Sequence, residues 1–396
     1  MTAQKANRKK LFIVILALAI IFKLSIFIFG AMRVPGSILD SDSESYLATA
    51  KTISTHGVFG AEDAVSRFKY EAFRTPGYPV FLAIFHNAMH ISLNGIVFLQ
   101  LLLTILAGFI TYKLATEIDR RIGLLSMAIV LFDPPTAVYS LKIMTEALFL
   151  PLLALFLYLF IRYLKSGRIS LALFSAFILA VCTYVRPITY YLGIAVAMFM
   201  VYANAPRGLK RASLHAFLFL AIAFSLLASW QLRNYNRSGD SSFTTIIKSN
   251  LRNHGLAAEV ARDKNTGLAS KGLNYLGTAS GDFVNLMTLP GSLKYYDSKS
   301  FVRFSKVIFY AWMVFWMIGF LAGCVRSRRN IYLQFLLWVI LYFAAVTVVN
   351  ISEAAGERFR IPMVPSIAAI SGYGWLVIKE YWGKVRNGKK HSCCTQ

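Results

Sequence analysis

Apolar residues run along the chain in blocks of about twenty, separated by short polar loops. A block of that length spans a hydrocarbon core about 30 Å thick as an α-helix. Ten spans are predicted, at 11–30, 92–114, 122–133, 141–161, 169–185, 187–203, 212–230, 304–325, 330–349 and 361–379. The third is short and ends at Asp133-Pro134-Pro135, because proline lacks the amide donor and clashes with the preceding turn. In lipid only helices and closed barrels satisfy their backbone, and runs this long exclude the alternation of a barrel strand. The expected fold is an all-α integral membrane protein with about ten transmembrane helices.

Two polar stretches interrupt the blocks. The first, 31–91, ends in Val80–His90, which is apolar but too short to span and should lie in the interface. The second, 231–303, is rich in Gly, Ser and Asn in places and should form a small external cap. The chain then divides into an N-terminal membrane module (1–230) carrying the 31–91 loop, the cap (231–303), C-terminal helices (304–380) and a basic tail (381–396). No internal repeat is visible. Leu11–Gly30 exceeds the length of a signal-peptide core and reads as a first span.

Charge orients this scheme. The segments 1–10, 113–121, 162–168, 207–211, 326–329 and 379–396 hold 21 of the 42 Lys and Arg but only Glu117, Asp119 and Glu380 among the acids. Ten spans place all six segments, and both termini, on one side, which the positive-inside rule makes the cytoplasm. The net charge of +24 is thus accounted for by topology, and nucleic-acid binding is not expected. Charged residues are 15% of the chain, against about 25% in soluble domains. Four cysteines give no disulfide framework; Cys182 and Cys324 sit in apolar runs, and Cys393-Cys394-Thr395-Gln396 matches a prenylation box by chance.

The polar motifs gather on the other side. Asp40, Asp42 and Glu44 follow the first span. Ser41 or Ser43 there could cap a helix running through Tyr46, and a carboxylate could serve as general base. The Asp-x-Asp spacing would also suit a divalent metal, but one such tripeptide does not make a site. Arg74-Thr-Pro-Gly-Tyr78-Pro is a rigid turn that holds its arginine in place. Lys142 and Glu146, at i and i+4, would share a helix face and neutralise each other, while ionisable groups at membrane depth usually mark function. Arg186-Pro187, Trp230-Gln-Leu-Arg233-Asn234 and Glu357-Arg358-Phe-Arg360 put further arginines on the face the positive-inside rule disfavours. Guanidinium groups grip phosphate with paired hydrogen bonds, so an anionic phosphate substrate at the membrane surface would explain them, as would lipid headgroups.

The run Asp42-Ser-x-x-Tyr46 with Ala48, Ala50 and Gly57 resembles the first external loop of GT-C glycosyltransferases. So do Arg74-x-Pro76-Gly77-Tyr78-Pro79, Thr145-Glu146, Arg186-Pro187, Trp230-x-x-Arg233-Asn234 with Gly239, and Arg358-x-Arg360-x-Pro362-x-x-Pro365. Their order is similar to the branch with protein O-mannosyltransferases and lipid A aminoarabinose transferases. The resemblance implies a polyprenyl-phosphate-linked monosaccharide as donor and a glycan, lipid or protein acceptor on the non-cytoplasmic face. It implies Asp42 as base, with Asp40 the second choice, and Arg74, Arg186, Arg233 and Arg358 as donor-phosphate ligands; Lys142 is expected to bind the phosphate beside them. Tyr46, Tyr78 and Glu146 are expected to contact sugar or acceptor, and Tyr190 and Tyr191 could stack on the sugar. No cofactor and no metal ligand is expected. The compartment expected is a bacterial inner membrane with the site facing the periplasm. The competing reading is a transporter or flippase of lipid-linked sugars; polar motifs confined to one face, without a repeat, favour an enzyme.

Overall fold

A computed structural model describes residues 2–33, 36–62, 68–70, 72–253, 299–350 and 357–392, with a few positions between 277 and 287. Most of the expected cap, and the Cys393-Cys394 pair, lie outside the described residues. Eight helices among them are long and apolar enough to cross a membrane. The fold is an α-helical bundle.

The N-terminal helix α1 (Thr2–Ile26) widens into a π turn over Phe27–Met32. Helix α2 (Ser43–His56), a short hairpin of β1 (Gly60–Glu62) and β2 (Phe68–Tyr70), and α3 (Gly77–Leu82) follow on one end of the bundle. Helix α2 stops at Gly57, whose φ of 65° is the left-handed conformation that glycine adopts without strain. A second π turn, Ala83–Ala88, extends α3, so the apolar Val80–His90 stretch is helical as far as Ala88 and short. Then come α4 (Leu93–Ile118), α5 (Gly123–Leu131), α6 (Pro134–Tyr139) and α7 (Glu146–Ser166).

Helices α4 and α7 pack along their length, and Lys165 near the end of α7 donates to Glu117 near the end of α4 at 3.0 Å. They therefore run parallel, and the chain must return between them. It does so through α5 and α6, a broken pass. Nine residues of α5 reach only about 14 Å, which is why the expected third span is not one membrane helix. Asp133 ends this segment and begins the next. Its carboxylate accepts from the Thr136 amide at 3.0 Å and hydroxyl at 2.7 Å, and Pro134 and Pro135 occupy the first turn of α6, where no amide donor is needed.

The remaining passes are α8 (Ile169–Val185), α9 (Leu192–Asn204), α10 (Leu209–Ser238), α12 (Lys299–Ser327), α13 (Ile331–Asn350) and α15 (Val364–Ser392); α11 (Thr245–Asn253) and α14 (Glu357–Arg360) are short. Helix α8, at 17 residues, is the other expected span that falls short of the long helices. The core runs through α7, one of the two most buried spans, with Phe156, Phe160 and Phe335 of α13 in contact. Helices α12 and α15 meet along a glycine seam: a methyl group on Gly374 would fall on the Gly319 carbonyl, and one on Gly323 on the Ile370 carbonyl. Small residues of this kind let helix backbones approach where lipid supplies no hydrophobic drive.

Lys142 and Glu146 do not form the expected helical pair. The chain turns between Ser140 and Thr145, α7 begins only at Glu146, and the two side chains take different partners. The same turn anchors the acidic loop. Ser43 donates to the Ile143 carbonyl at 2.9 Å and accepts from the Asp40 amide at 2.8 Å, while the Ile143 amide donates to Ile38 at 2.8 Å. Neither serine caps α2 in the expected way: Asp42 holds the N-cap position, and its side chain makes no capping bond.

Candidate active site

Because the Asp42 carboxylate is not spent on its own helix, it projects toward arginines from two distant segments. Arg74 Nη2 donates to Oδ1 at 2.8 Å, and Arg358 Nη2 donates to Oδ2 at 3.0 Å. Arg74, just ahead of the Pro76-Gly77 turn, is 8% exposed; its guanidinium lies 4.7 Å from the centre of the Tyr46 ring and also donates to the Tyr46 hydroxyl. Gly77 cannot be replaced cheaply, since a side chain would meet the Tyr184 carbonyl of α8 at 2.8 Å. Thr75 adds a 3.1 Å bond to the Val185 carbonyl, so the turn is pinned to the end of α8 next to Arg186.

Glu146 supports the arginines from behind. Its side chain is 2% exposed, accepts from Arg358 Nε at 2.5 Å and lies 3.0 Å from Arg186 Nη1. Arg358 therefore bridges two carboxylates, and Arg186 completes the cluster against the Phe149 ring. Burial pushes the Asp42 carboxyl up, but Arg358 and Arg74 outweigh it and hold the group below the usual carboxylate range. Asp42 is thus an ionised carboxylate, each of whose oxygens accepts one arginine hydrogen bond.

The cluster opens on a cavity of about 560 Å³. One wall is charged and polar: Asp42, Tyr46, Arg74, Thr145, Arg186 and Arg358. The other is largely apolar, from Val185, Ile188 and Tyr191 and from Val346 and Val349 of α13. Thr347 and Asn350 of α13 contribute to the lining, but Thr347 Oγ1 and Asn350 Oδ1 are themselves buried and have no hydrogen-bond partner among the described residues. The sequence reading missed both, although two polar residues at the end of an otherwise apolar helix were the signal.

The other expected site residues lie elsewhere. Asp40 accepts from Lys142 Nζ at 2.9 Å, a pair that ties the acidic loop to the 140–145 turn outside the cavity lining. Burial pushes the Asp40 carboxyl up, and Lys142 with the Ser41 amide brings it below the usual range. Tyr78 is fully buried beneath Tyr46, donating to Gln100 Oε1 at 2.6 Å. Tyr190 donates to Gln231 at 3.2 Å and packs on Phe243, away from the cavity, whereas Tyr191 lines it. Arg233 is also absent from the lining. It donates to the Phe59 carbonyl and to Asn234 Oδ1, among the rings of Trp230, Phe59 and Tyr70 at 4.8, 5.3 and 5.7 Å. It clamps the hairpin onto α10. Among the described residues no three His, Cys, Asp or Glu side chains gather as a metal-holding group.

A family model described as dolichyl-phosphate-mannose-protein mannosyltransferase matches residues 74–230. Among solved structures, the archaeal oligosaccharyltransferase AglB from Archaeoglobus fulgidus, in complex with an inhibitory peptide and a dolichol-phosphate, is similar at a TM-score of 0.61 and 14% identity, over 97% of this chain and 52% of that one. The apo form of the Archaeoglobus fulgidus oligosaccharyltransferase gives 0.57 and 14% over 96% and 52%. The form tethered to an acceptor peptide containing the NVT sequon gives 0.58 and 13% over 93% and 50%. The chain thus spans about half the length of these enzymes, and the likeness is one of fold. No curated protein matches.

Proposed function

We propose that the chain is a membrane glycosyltransferase that moves a monosaccharide from a polyprenyl-phosphate donor to a hydroxyl acceptor. The observation that carries this reading is the single hollow in which Asp42 meets Arg74 and Arg358, charged on one wall and apolar on the other. A polyprenyl phosphate needs both walls: guanidinium donors for the phosphate and an apolar surface for the first isoprene units. The family model, which begins at Arg74, supports the same donor class.

In the proposed reaction Asp42 takes the proton of the acceptor hydroxyl. The oxygen attacks the anomeric carbon, and the bond from that carbon to the phosphate oxygen breaks with its electron pair on the phosphate. Arg74, Arg186 and Arg358 stabilise the charge gathered there, an electrostatic contribution aimed at the leaving group. Glu146 is a positioning residue, holding Arg186 and Arg358 toward the cavity. Both Asp42 oxygens are occupied in the unliganded protein. A phosphate that draws the arginines to itself would free one of them, so donor binding precedes base action. Asn350, a partly exposed polar residue of the lining on α13, would contact sugar or acceptor. Lys142 and Arg233, spent on the loop and the hairpin, are left out of the phosphate set.

The basic loops at the opposite end of the bundle orient the site toward the non-cytoplasmic face, the periplasm if the membrane is a bacterial inner membrane. The test is transfer of labelled sugar in detergent, with polyprenyl-phosphate hexoses and pentoses offered in parallel with diphosphate-linked oligosaccharides. Transfer from a monophosphate donor is expected. Turnover of diphosphate donors alone, or none outside a sealed vesicle, would overturn the reading in favour of a ligase or a transporter.

A further inference from the structure

At the end of the bundle opposite Asp42, a second cavity of about 270 Å³ lies between the turn after α7 and the turn before α10. Its lining includes Lys165, Gly167, Asn204, Arg207, Arg211 and His215. Nothing in the glycosyl-transfer reading uses it. The proposed reaction takes place at the far end of the same helices, and none of these residues touches the Asp42 cluster.

Basic loops on this face are expected from topology alone, but a lysine or arginine that only meets headgroups needs no hollow. Here there is a built floor. Tyr163, 1% exposed, exchanges a 3.0 Å hydrogen bond with His215 Nδ1, and Asn204, 8% exposed, donates to the Tyr163 hydroxyl at 3.3 Å and to the Met200 carbonyl at 2.9 Å. These bonds hold three helices around the cavity whatever fills it. The volume would hold roughly nine waters at ~30 Å³ each, more than a lone ion requires.

The charge on the rim is unbalanced. Lys165 is answered by Glu117 at 3.0 Å. Arg207 gives one bond to the Leu164 carbonyl at 3.4 Å, which satisfies an end group of α7 but brings no negative charge. Arg211 has no carboxylate partner among the described residues. Two guanidinium groups thus flank a polar pit at the start of α10, where free amides also favour an anion. Beside them α10 turns Leu209, Leu214 and Phe217 outward, 54–66% exposed, the surface a lipid tail would follow from a headgroup seated in the pit.

We infer that this cavity is a binding site for a phosphate-bearing anion, and specifically for the phosphodiester headgroup of an anionic membrane lipid. Basic pockets between transmembrane helices on one face suit such headgroups. The site is separate from the donor site and stands whether or not the chain transfers sugar.

The test is native mass spectrometry of the full chain, delipidated in detergent and given phosphatidylglycerol or phosphatidylcholine at equal concentration, each with and without inorganic phosphate. Phosphatidylglycerol should be retained in preference. Arg211→Gln should lower that retention about tenfold, the worth of one charge-assisted hydrogen bond. Lys210→Gln removes the same charge one residue away, outside the lining, and should change it less than about twofold. Because Arg207 also caps α7, Arg211 is the informative position, and Arg211→Lys should recover part of the binding. Equal retention of the two lipids, or equal loss in the Lys210 and Arg211 variants, would overturn the site. Displacement of all bound lipid by inorganic phosphate would overturn the lipid assignment and leave a soluble phosphate ester as the ligand.

Discussion

Replacing Asp42 by asparagine keeps the shape of the side chain and removes its charge and basicity. If Asp42 is the base, the rate should fall about 10²–10⁴-fold, or about 3–5 kcal/mol of barrier. The cost to stability should be small. One amide oxygen can still accept from Arg74 or Arg358, while the amide nitrogen faces the other. The Asp42 side chain is 27% exposed and that of Arg358 21%, so the lost pair is partly screened and costs about 1–2 kcal/mol. Asp40→Asn is the matched control. Its partner Lys142 is 8% exposed and Asp40 13%, and breaking a pair that buried costs about 3 kcal/mol or more. The two substitutions should therefore cross: Asp42→Asn inactive and nearly as stable as the parent, Asp40→Asn less stable with transfer within about tenfold of it. Labelled-sugar transfer and a thermal-shift melt on each variant decide it. Wild-type turnover in Asp42→Asn, or a larger loss in Asp40→Asn at a temperature where both are folded, would refute the assignment of the base.

The pH dependence carries a sign. Both carboxyls are held below the usual ~3.9, so their ion pairs stabilise the fold above that pH and the benefit is lost only as pH falls through the depressed values. The melting difference between the parent and Asp40→Asn should be constant near neutrality and close below about pH 4. If donor phosphate draws the arginines from Asp42, the acid limb of kcat should lie at higher pH than that of kcat/KM; coincident limbs would argue against that exchange. Arg358→Lys cannot bridge Asp42, Glu146 and a phosphate, and donor KM should rise by about tenfold or more; an unchanged KM would remove Arg358 from the phosphate set. Arg233→Ala should lower thermal stability through the loosened hairpin yet leave donor KM within about twofold; a tenfold rise would return it to the donor site.

The helical class and most of the passes were legible because a hydrocarbon-spanning helix needs only length and apolarity, both written locally. The broken pass was half legible. Asp133-Pro134-Pro135 announced an end to one helix but not that the same three residues start the next. Local patterning failed where a turn intervened: a four-residue spacing paired Lys142 with Glu146, but the Ser140–Thr145 turn sends one to Asp40 and the other to Arg186 and Arg358. The gathering of arginines on one face was visible, but their division of labour was not. Asp42 and Arg358 are 316 residues apart, and only the ordered motifs tied them together. Arg233 looked equivalent to Arg74 because the rings that cage it come from Phe59 and Tyr70, far upstream.

Arg358 stands at the head of the last long pass, whose footing is the glycine seam between Gly374 and Gly319. That footing lies about 24 Å down the helix axis at 1.5 Å per residue. A single methyl group inserted there would lever the guanidinium out of register with the Asp42 carboxylate without touching any substrate. A selection for weakened donor capture should therefore return substitutions deep in the bundle as readily as at its mouth, because this chain calibrates its surface chemistry from the inside of the membrane.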